Sequence, residues 1–249
     1  MHSVLITGAL GGIGQALCAE FTSAGWRVIA TDAPSIPHPR SQEFPIYLPN
    51  DLRRFKKSAP HRAKWLKAVR EATKGAPLKC VVNNAAAQRL GDTTSATVED
   101  WDVTLDVNLV APFLLVQAFL SELIHSRGSV INIASIHAQL TKPGFVAYAT
   151  SKAGIAGLTR ALAVDLGKNG VRVNAICPAA ISTPMLEAGF EGRPKARKQL
   201  DEYHPSARIG TPAEVARLAV FLASDAATFM NGSCVGIDGA LGARLHDPI

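Results

Sequence analysis

Charged and aromatic residues are both scarce in this chain, at 18% and 6% of its 249 residues, whereas hydrophobic residues make up 47%. A composition so poor in charge excludes a mainly disordered protein. The four cysteines lie far apart with no CxxC pair, which excludes a disulfide framework and a zinc-binding cysteine pair. The seven histidines form no HExxH or other metal-ligand spacing, so the sequence predicts no metal site.

Long hydrophobic runs are absent as well. The longest apolar stretch, 105–120, is interrupted by Asp106, Asn108, Pro112 and Gln117, and so it is too polar to span a bilayer. The first residues, MHSVLITG, lack the basic segment and apolar core of an export signal. We therefore expect a cytoplasmic protein without a membrane partner.

The net charge is +6, which is compatible with an anionic partner. The basic residues are mostly scattered, and no run of them resembles a nucleic-acid-binding arm. We expect no nucleic-acid partner, and keep nucleic-acid binding only as an alternative second role.

Short apolar runs alternate with longer helical patterns along most of the chain. Strands are predicted at 3–7, 27–31, 78–83, 129–133, 171–177 and 234–237, with a shorter one at 45–48. Helices are predicted at 12–24, 61–73, 101–125, 147–168 and 212–223, the last opening on the capping box Thr211-Pro212-Ala213-Glu214. This alternation favours an α/β fold: one doubly wound parallel sheet of about seven strands with helices on both faces. No repeat or linker divides residues 1–249, so we expect one domain.

A glycine-rich turn, TGALGGIG at residues 7–14, follows the first strand and opens the first helix. Glycines at such a turn allow the backbone to approach a pyrophosphate, which lies at the positive end of the helix. The alternative is a tight strand–helix turn without a ligand.

The second strand ends at Asp32, close to where a carboxylate would receive the adenosine ribose. A carboxylate accepts hydrogen bonds from the free 2′-hydroxyl of NAD and repels the 2′-phosphate of NADP. Because no Arg or Lys lies in the glycine turn, NAD is favoured and NADP is less expected. Two readings stay open: Asp32 caps a turn before Pro34, or Arg40 swings towards a phosphate.

Tyr148 and Lys152 form a YxxxK pattern, which on a helix puts both side chains on one face, about one turn apart. A nearby ammonium stabilises a phenolate, so we expect the pKa of Tyr148 to be lowered from its usual value of ~10. Such a tyrosine can exchange a proton with an alcohol or ketone. Ser135, just after the strand 129–133, is placed to orient the same oxygen.

The glycine turn, Asn83-Asn84-Ala85, Asn108, Ser135 and YxxxK occur here in one order and at consistent spacings. In this combination the chain resembles the short-chain dehydrogenase/reductase family, from residue 3 to about residue 239. The resemblance implies a Rossmann-type fold and a catalytic group of four. Tyr148 would be the general acid/base, Lys152 would lower its pKa and hold the nicotinamide ribose, Ser135 would position the reacting oxygen, and Asn108 would support a proton-relaying water.

The resemblance also implies the residues that contact the dinucleotide. Besides Asp32, Tyr148 and Lys152, these are Gly8, Gly12, Ile13 and Gly14 at the pyrophosphate, Asp51 and Leu52 at the adenine, Asn84 and Ala85 at the adenosine side, and Pro178, Ile181 and Thr183 at the nicotinamide end.

In two places the chain departs from the family's pattern, because Ala86 and Ala179 stand where glycine is usual. Alanine there requires a backbone with negative φ. The family further implies a mobile substrate lid near 185–205. It also implies a homotetramer or homodimer, paired through the helices that bear Asn108 and Tyr148.

Three other residues near the catalytic pattern are candidates to line the substrate pocket: His137, Gln139 and Phe145. For His137 an ordinary loop or packing role is the favoured interpretation.

The sequence therefore predicts an oxidoreductase that interconverts a secondary alcohol and a ketone with NAD(H), using Tyr148 as the acid/base. The alternatives are an NADP-dependent carbonyl reductase of the 3-oxoacyl-thioester type, and a catalytically silent NAD-binding regulator.

Overall fold

Six parallel strands form one sheet in this computed structural model, which describes residues 1–36 and 46–245. Their bounds are β1 (Ser3–Thr7), β2 (Arg27–Thr31), β3 (Leu78–Asn83), β4 (Ser129–Ile133), β5 (Arg172–Pro178) and β6 (Cys234–Ile237). The strand order is β2-β1-β3-β4-β5-β6, and every neighbouring pair is parallel. The doubly wound parallel sheet predicted from the sequence is confirmed.

The expectation of about seven strands is not met in the described residues. Pro45 and Arg40 lie outside them, and Tyr47 makes only an isolated parallel bridge with Ala30. Leu48 N donates to Ala30 O at 2.9 Å, and Asn50 N donates to the carbonyl of Asp32 at 2.8 Å. This segment therefore runs beside β2 without forming a strand of its own.

Nine α-helices occur in the described residues. They are α1 (Gly12–Ser23), α2 (Ala59–Ala72), α3 (Val98–Leu105), α4 (Ala111–Ala118), α5 (Leu120–Ser126), α6 (Val146–Leu166), α7 (Pro184–Ala188), α8 (Pro194–Tyr203) and α9 (Pro212–Ala223). Four of the five predicted helices match these bounds within one or two residues.

The exception is the single helix predicted for 101–125, which is broken twice. A π-helical turn, Asp106–Val110, separates α3 from α4, and there Ala111 N bonds to Asp106 O. Pro112 explains this break, because it has no N–H to donate to the carbonyl four residues earlier, at Asn108. The second break is at Phe119, between α4 and α5.

Both faces of the sheet are covered by apolar side chains, as expected for parallel strands. Val4 and Ile6 of β1 belong to the cluster that packs against α1 and α9, whereas Leu5 points to the opposite face. That second cluster includes Phe119 and Leu162, so the layers are helix, sheet and helix.

The sheet positions the site through its strand order. β2 lies on one side of β1 and β3 on the other, so the order in which strands are added to the sheet reverses at β1. In open α/β sheets, ligands bind outside the carboxyl ends of the strands at such a switch point. The segments that follow β1, β3, β4 and β5 all emerge at this edge.

Within residues 1–36 and 46–245, no single helix is long and apolar enough to cross a membrane. The stretches Val98–Ala118 and Leu120–Ser126, bent by 62°, meet that test of length and composition only as a pair.

The capping box of α9 has the geometry predicted from the sequence, since Thr211 Oγ1 accepts from Glu214 N and the Glu214 carboxylate accepts from Thr211 N. Thr211→Ala should therefore lower the free energy of unfolding by about 1 kcal/mol. Urea denaturation measures this. Thr22→Ala, an exposed change near the end of α1, is the control and should stay within about 0.5 kcal/mol of the parent. Equal losses in the two variants would contradict the capping role.

Candidate active site

Hydrogen bonds join the turn after β1 to the loop after β3. Thr7 Oγ1 accepts from the backbone N–H groups of Asn84 and Ala85, each at 3.0 Å, and Asn84 Nδ2 donates to Gly8 O at 2.9 Å. Gly8 has φ +65°, and a Cβ on it would lie 2.7 Å from Ala85 Cα. Only glycine fits this close approach.

The start of α1 matches an anion site. Its N-cap, Gly11, supplies no side-chain acceptor, so the first-turn amides of Gly12, Ile13 and Gly14 are not capped by it. A Cβ on Gly12 would lie 2.9 Å from Thr183 Cβ, and one on Gly14 would overlap the Gly8 carbonyl oxygen. The turn thus touches both neighbouring loops, and its uncapped amides fit a pyrophosphate.

Asp32 lies beside this turn, as the sequence predicted. Its Oδ2 accepts from Leu10 N at 2.9 Å and its Oδ1 accepts from Ala33 N at 2.7 Å. Burial raises the pKa of Asp32, and these two hydrogen bonds oppose the rise. Each oxygen keeps a further lone pair for a ribose hydroxyl, so the residues at this end fit a dinucleotide.

At the expected adenine position, Leu52 is buried and Asp51 is already engaged. The Asp51 carboxylate caps a short 3₁₀ turn by accepting from Arg53 N at 3.0 Å, and it pairs with the Arg53 guanidinium at 2.8 Å. Arg53 holds the pKa of Asp51 below its usual value. An adenine contact of Asp51 would have to be shared with this arginine.

The side chain of Ser135 lies close enough to Tyr148 to lower the pKa of its phenol. Ser135 Oγ also accepts from His137 N at 3.2 Å and so caps the 3₁₀ turn Ile136–Ala138. Burial raises the pKa of Tyr148, and the effect of Ser135 only partly offsets this.

Lys152 is buried, with 3% of its surface exposed, and its Nζ donates to Ile133 O at 2.7 Å. Burial lowers the pKa of Lys152 to about 8. Nζ lies 5.6 Å from the centre of the Tyr148 ring.

These positions correct one prediction from the sequence. Tyr148 and Lys152 do lie together, but the pKa of Tyr148 is raised rather than lowered, with burial as the largest cause. Loss of hydration disfavours the phenolate more than the neighbouring groups favour it.

The side chain of Asn108 is fully occupied by protein groups. Its Oδ1 accepts from Ala87 N at 2.7 Å, and its Nδ2 donates to Ala87 O at 3.0 Å and to Ser151 Oγ at 2.9 Å. Asn108 therefore clamps the loop after β3 to α6, one residue away from Lys152. Because of Pro112, its backbone carbonyl lacks the usual helical donor.

The residues expected at the nicotinamide end follow β5 closely. Pro178 ends that strand, Ile181 bridges to Gly210, and Thr183 caps α7 by accepting from Leu186 N at 3.3 Å. Neither Ala86 nor Ala179 is among the residues with positive φ, which confirms the negative φ predicted for them.

The segment predicted as a lid contains α7 and α8. Arg197 links them through Glu187, at 2.9 Å, and also pairs with Asp201 at 2.8 Å. Met185 is 77% exposed at the start of this segment. Among the described residues, no three His, Cys, Asp or Glu side chains gather closely enough to hold a metal ion.

Comparison with known proteins identifies the family. A family model described as enoyl-(acyl carrier protein) reductase matches residues 8–241. Protein FixR of Bradyrhizobium diazoefficiens is 39% identical over 95% of this chain and 85% of its own length. This chain belongs to the short-chain dehydrogenase/reductase family. Two further members of the family have names that state an activity. The 3-oxoacyl-[acyl-carrier-protein] reductase FabG of Thermotoga maritima is 35% identical (95% of this chain, 96% of that protein), and the D-threitol dehydrogenase of Mycolicibacterium smegmatis is 34% identical (94% and 90%).

Solved structures of family members superimpose over nearly the whole chain. The ligand-free aldohexose dehydrogenase of Thermoplasma acidophilum has a TM-score of 0.88 and 31% identity, covering 100% of this chain and 96% of that one. A putative 2-deoxy-D-gluconate 3-dehydrogenase of Agrobacterium tumefaciens with bound NADP has a TM-score of 0.83 and 31% identity, covering 98% of this chain and 97% of that one. A 4-hydroxyisoleucine dehydrogenase complexed with NADH has a TM-score of 0.85 and 25% identity, covering 98% of this chain and 100% of that one.

The residues that hold the site together were not predicted from the sequence. Thr7, Ala87 and Ser151 bind the proposed site residues Asn84 and Asn108 through the contacts above. A signal existed for two of them, because Thr7 opens the glycine motif and Ser151 lies inside YxxxK. Ala87 takes part through its backbone alone, which sequence does not reveal.

The glycine turn provides a matched pair of variants. In Gly12→Ala the added methyl group would press against the side chain of Thr183. A Cβ on Gly11 would meet nothing closer than Gly8 O at 3.5 Å, which is an ordinary contact. We expect Gly12→Ala to weaken NADH binding about tenfold or more, since the turn must shift, and Gly11→Ala to change it less than about threefold. Fluorescence titration with NADH measures both. Equal effects of the two changes would contradict the proposed turn geometry.

Proposed function

We propose that this short-chain dehydrogenase/reductase interconverts a secondary alcohol and a ketone with NAD(H). The supporting observation is the grouping of three side chains at one edge of the sheet: Ser135 close enough to Tyr148 to act on its pKa, with the buried Lys152 beside the tyrosine ring. A proton donor, an orienting hydroxyl and a buried cation are the groups that carbonyl–alcohol chemistry requires.

The side chains of the site divide the work of this mechanism. Ser135 Oγ binds the substrate oxygen, and the Tyr148 hydroxyl gives its proton to that oxygen in reduction or takes a proton from it in oxidation. Lys152 places a positive charge near the phenol and holds the nicotinamide ribose. Asn108 fixes the loop and helix that frame the site. When bound, the nicotinamide supplies or accepts the hydride.

Asp32 supports NAD as the preferred cofactor. Its carboxylate is held beside the glycine turn by Leu10 N and would repel a 2′-phosphate. Gly8, Gly12, Ile13 and Gly14 would hold the pyrophosphate, Leu52, Asn84 and Ala85 the adenosine, and Pro178, Ile181 and Thr183 the nicotinamide end. An NADP-dependent 3-oxoacyl-thioester reductase remains the second candidate, supported by the similarity to FabG and by the relative with bound NADP.

Two further features belong to the same proposal. The segment 185–205 closes over the substrate as a lid, supported by the exposed Met185 at its start. The enzyme is proposed to be a homodimer or homotetramer in the cytoplasm. Exposed apolar side chains on α4 and α6, Phe113 and Val164, support the oligomer.

Tyr148→Phe tests the proposed chemistry. Loss of the hydroxyl should lower kcat by about a thousandfold, because general acid/base catalysis contributes about 10²–10⁴, and NADH affinity should change little. The assay is turnover of the best alcohol from a screen with NAD⁺. A variant with unchanged turnover would contradict the role of Tyr148, and a parent protein that binds NADH but turns over no substrate would favour the silent regulator.

The raised pKa of Tyr148 predicts a direction-dependent pH profile. At neutral pH the phenol keeps its proton, so it is ready for ketone reduction but must ionise for alcohol oxidation. Initial oxidation rates should rise by up to about tenfold per pH unit from pH 6, and should level off near pH 8, where Lys152 loses its charge. Reduction rates should fall at high pH. An oxidation rate that does not change between pH 6 and 8 would contradict this assignment.

A further inference from the structure

An aromatic cluster surrounds the hydroxyl-bearing ring of Tyr148. The rings of His137 and Phe145 stack with centres 4.6 Å apart and an interplanar angle of 6°. The His137 ring meets the Tyr148 ring edge-on at 5.6 Å and 79°, and Phe145 does so at 6.0 Å and 76°. The imidazole is therefore part of the wall around the reacting group.

Several contacts hold His137 in one orientation. Its backbone N–H donates to Ser135 Oγ at 3.2 Å, and its Nδ1 lies 3.0 Å from Thr141 Oγ1. Stacking on Phe145 fixes the plane of the ring. A side chain anchored by its backbone, one nitrogen and one ring face has few other rotamers available.

The second ring nitrogen, Nε2, lies across the ring from Nδ1. Within residues 1–36 and 46–245 no protein group hydrogen-bonds to it. His137 is half-buried and its ring contacts that of Tyr148, so we infer that Nε2 is available to a ligand beside the reacting group. A fixed polar atom beside a reacting group is how binding pockets select their ligands.

The chemistry of Nε2 indicates which ligand group it suits. Burial, and then the charge of Lys142, lower the pKa of His137, so the imidazole is neutral at neutral pH. Because Thr141 Oγ1 can donate or accept, Nε2 is a donor in one tautomer and an acceptor in the other. A hydroxyl group satisfies both tautomers, whereas a carboxylate or a ketone satisfies only one.

We propose that His137 Nε2 binds a hydroxyl on the carbon next to the reacting carbon, so that the enzyme selects vicinal diols and hydroxyketones over simple alcohols and ketones. This rests on the proposed function, because it assigns the substrate class of the same site. His137 is a specificity-determining residue here, and Tyr148 and Ser135 handle the reacting oxygen.

The test compares butane-2,3-diol with butan-2-ol in the parent enzyme and in His137→Phe, with NAD⁺. Phenylalanine keeps the stacked ring but has no nitrogen. In the parent, kcat/KM should favour the diol by about thirtyfold or more, since a pocket built to bond a hydroxyl discriminates strongly against its absence. His137→Phe should bring this ratio to near one, mainly by raising the KM for the diol. His137→Gln, which restores a polar group, should recover part of the preference.

His125→Phe is the matched control. His125 is exposed on α5, which precedes β4 and so lies at the opposite edge of the sheet, and this change should leave both substrates unaffected.

Three results would overturn the proposal. The first is a parent enzyme without diol preference, and the second is a His137→Phe variant that loses both activities in parallel, which would make His137 only a support for Tyr148. In both cases Tyr148-dependent turnover of simple alcohols would leave the proposed function standing. The third is a parent enzyme that binds NAD⁺ but oxidises neither these probes nor any other secondary alcohol, which would overturn both proposals.

Discussion

The hydrogen bonds of Thr7 and Asn84 hold together the edge of the sheet on which the proposed site residues depend. They tie the turn after β1 to the loop after β3, the two segments between which the strand order reverses. Gly8 permits this approach by its positive φ, and Asp32 reaches the same turn through Leu10. Asn108 extends the assembly from the loop after β3 to α6, and so to Tyr148 and Lys152.

Burial determines the electrostatics at the other end of this edge. It raises the pKa of Tyr148 above its ordinary value and lowers that of Lys152 to about 8, so the phenol holds its proton more tightly than the ammonium does, which reverses their order in water. A buried ammonium needs a partner, and the Ile133 carbonyl provides it at 2.7 Å. Burial thus favours the uncharged form of both groups.

Much of the fold could be predicted from the sequence, because buried parallel strands appear in it as short apolar runs between turn residues. Five of the six strands, for instance Leu78–Asn83, have the predicted bounds, and β5 is displaced by one residue. The candidate site was predictable where backbone geometry demands one residue type, as at Gly8 and Gly12, and where a helical turn brings Tyr148 and Lys152 together.

The remaining features depend on tertiary contacts that a linear pattern does not contain. The direction of the pKa shift of Tyr148 follows from burial, and the engagement of Asp51 follows from a local arginine. Pro112 was a signal for the helix break at Asp106–Val110. The apolar periodicity of the surrounding residues nevertheless led to the prediction of one long helix. The clamp between Asn108 and Ala87 uses backbone atoms, which carry no sequence signature.

We propose that this edge of the sheet binds NAD and discriminates against NADP through Asp32. Parallel titrations of the purified protein with NADH and NADPH, followed by nicotinamide fluorescence, test this proposal. We expect a dissociation constant for NADH at least about tenfold below that for NADPH, with the difference reduced in Asp32→Ala. Equal or tighter binding of NADPH, or no binding of either nucleotide, would contradict it.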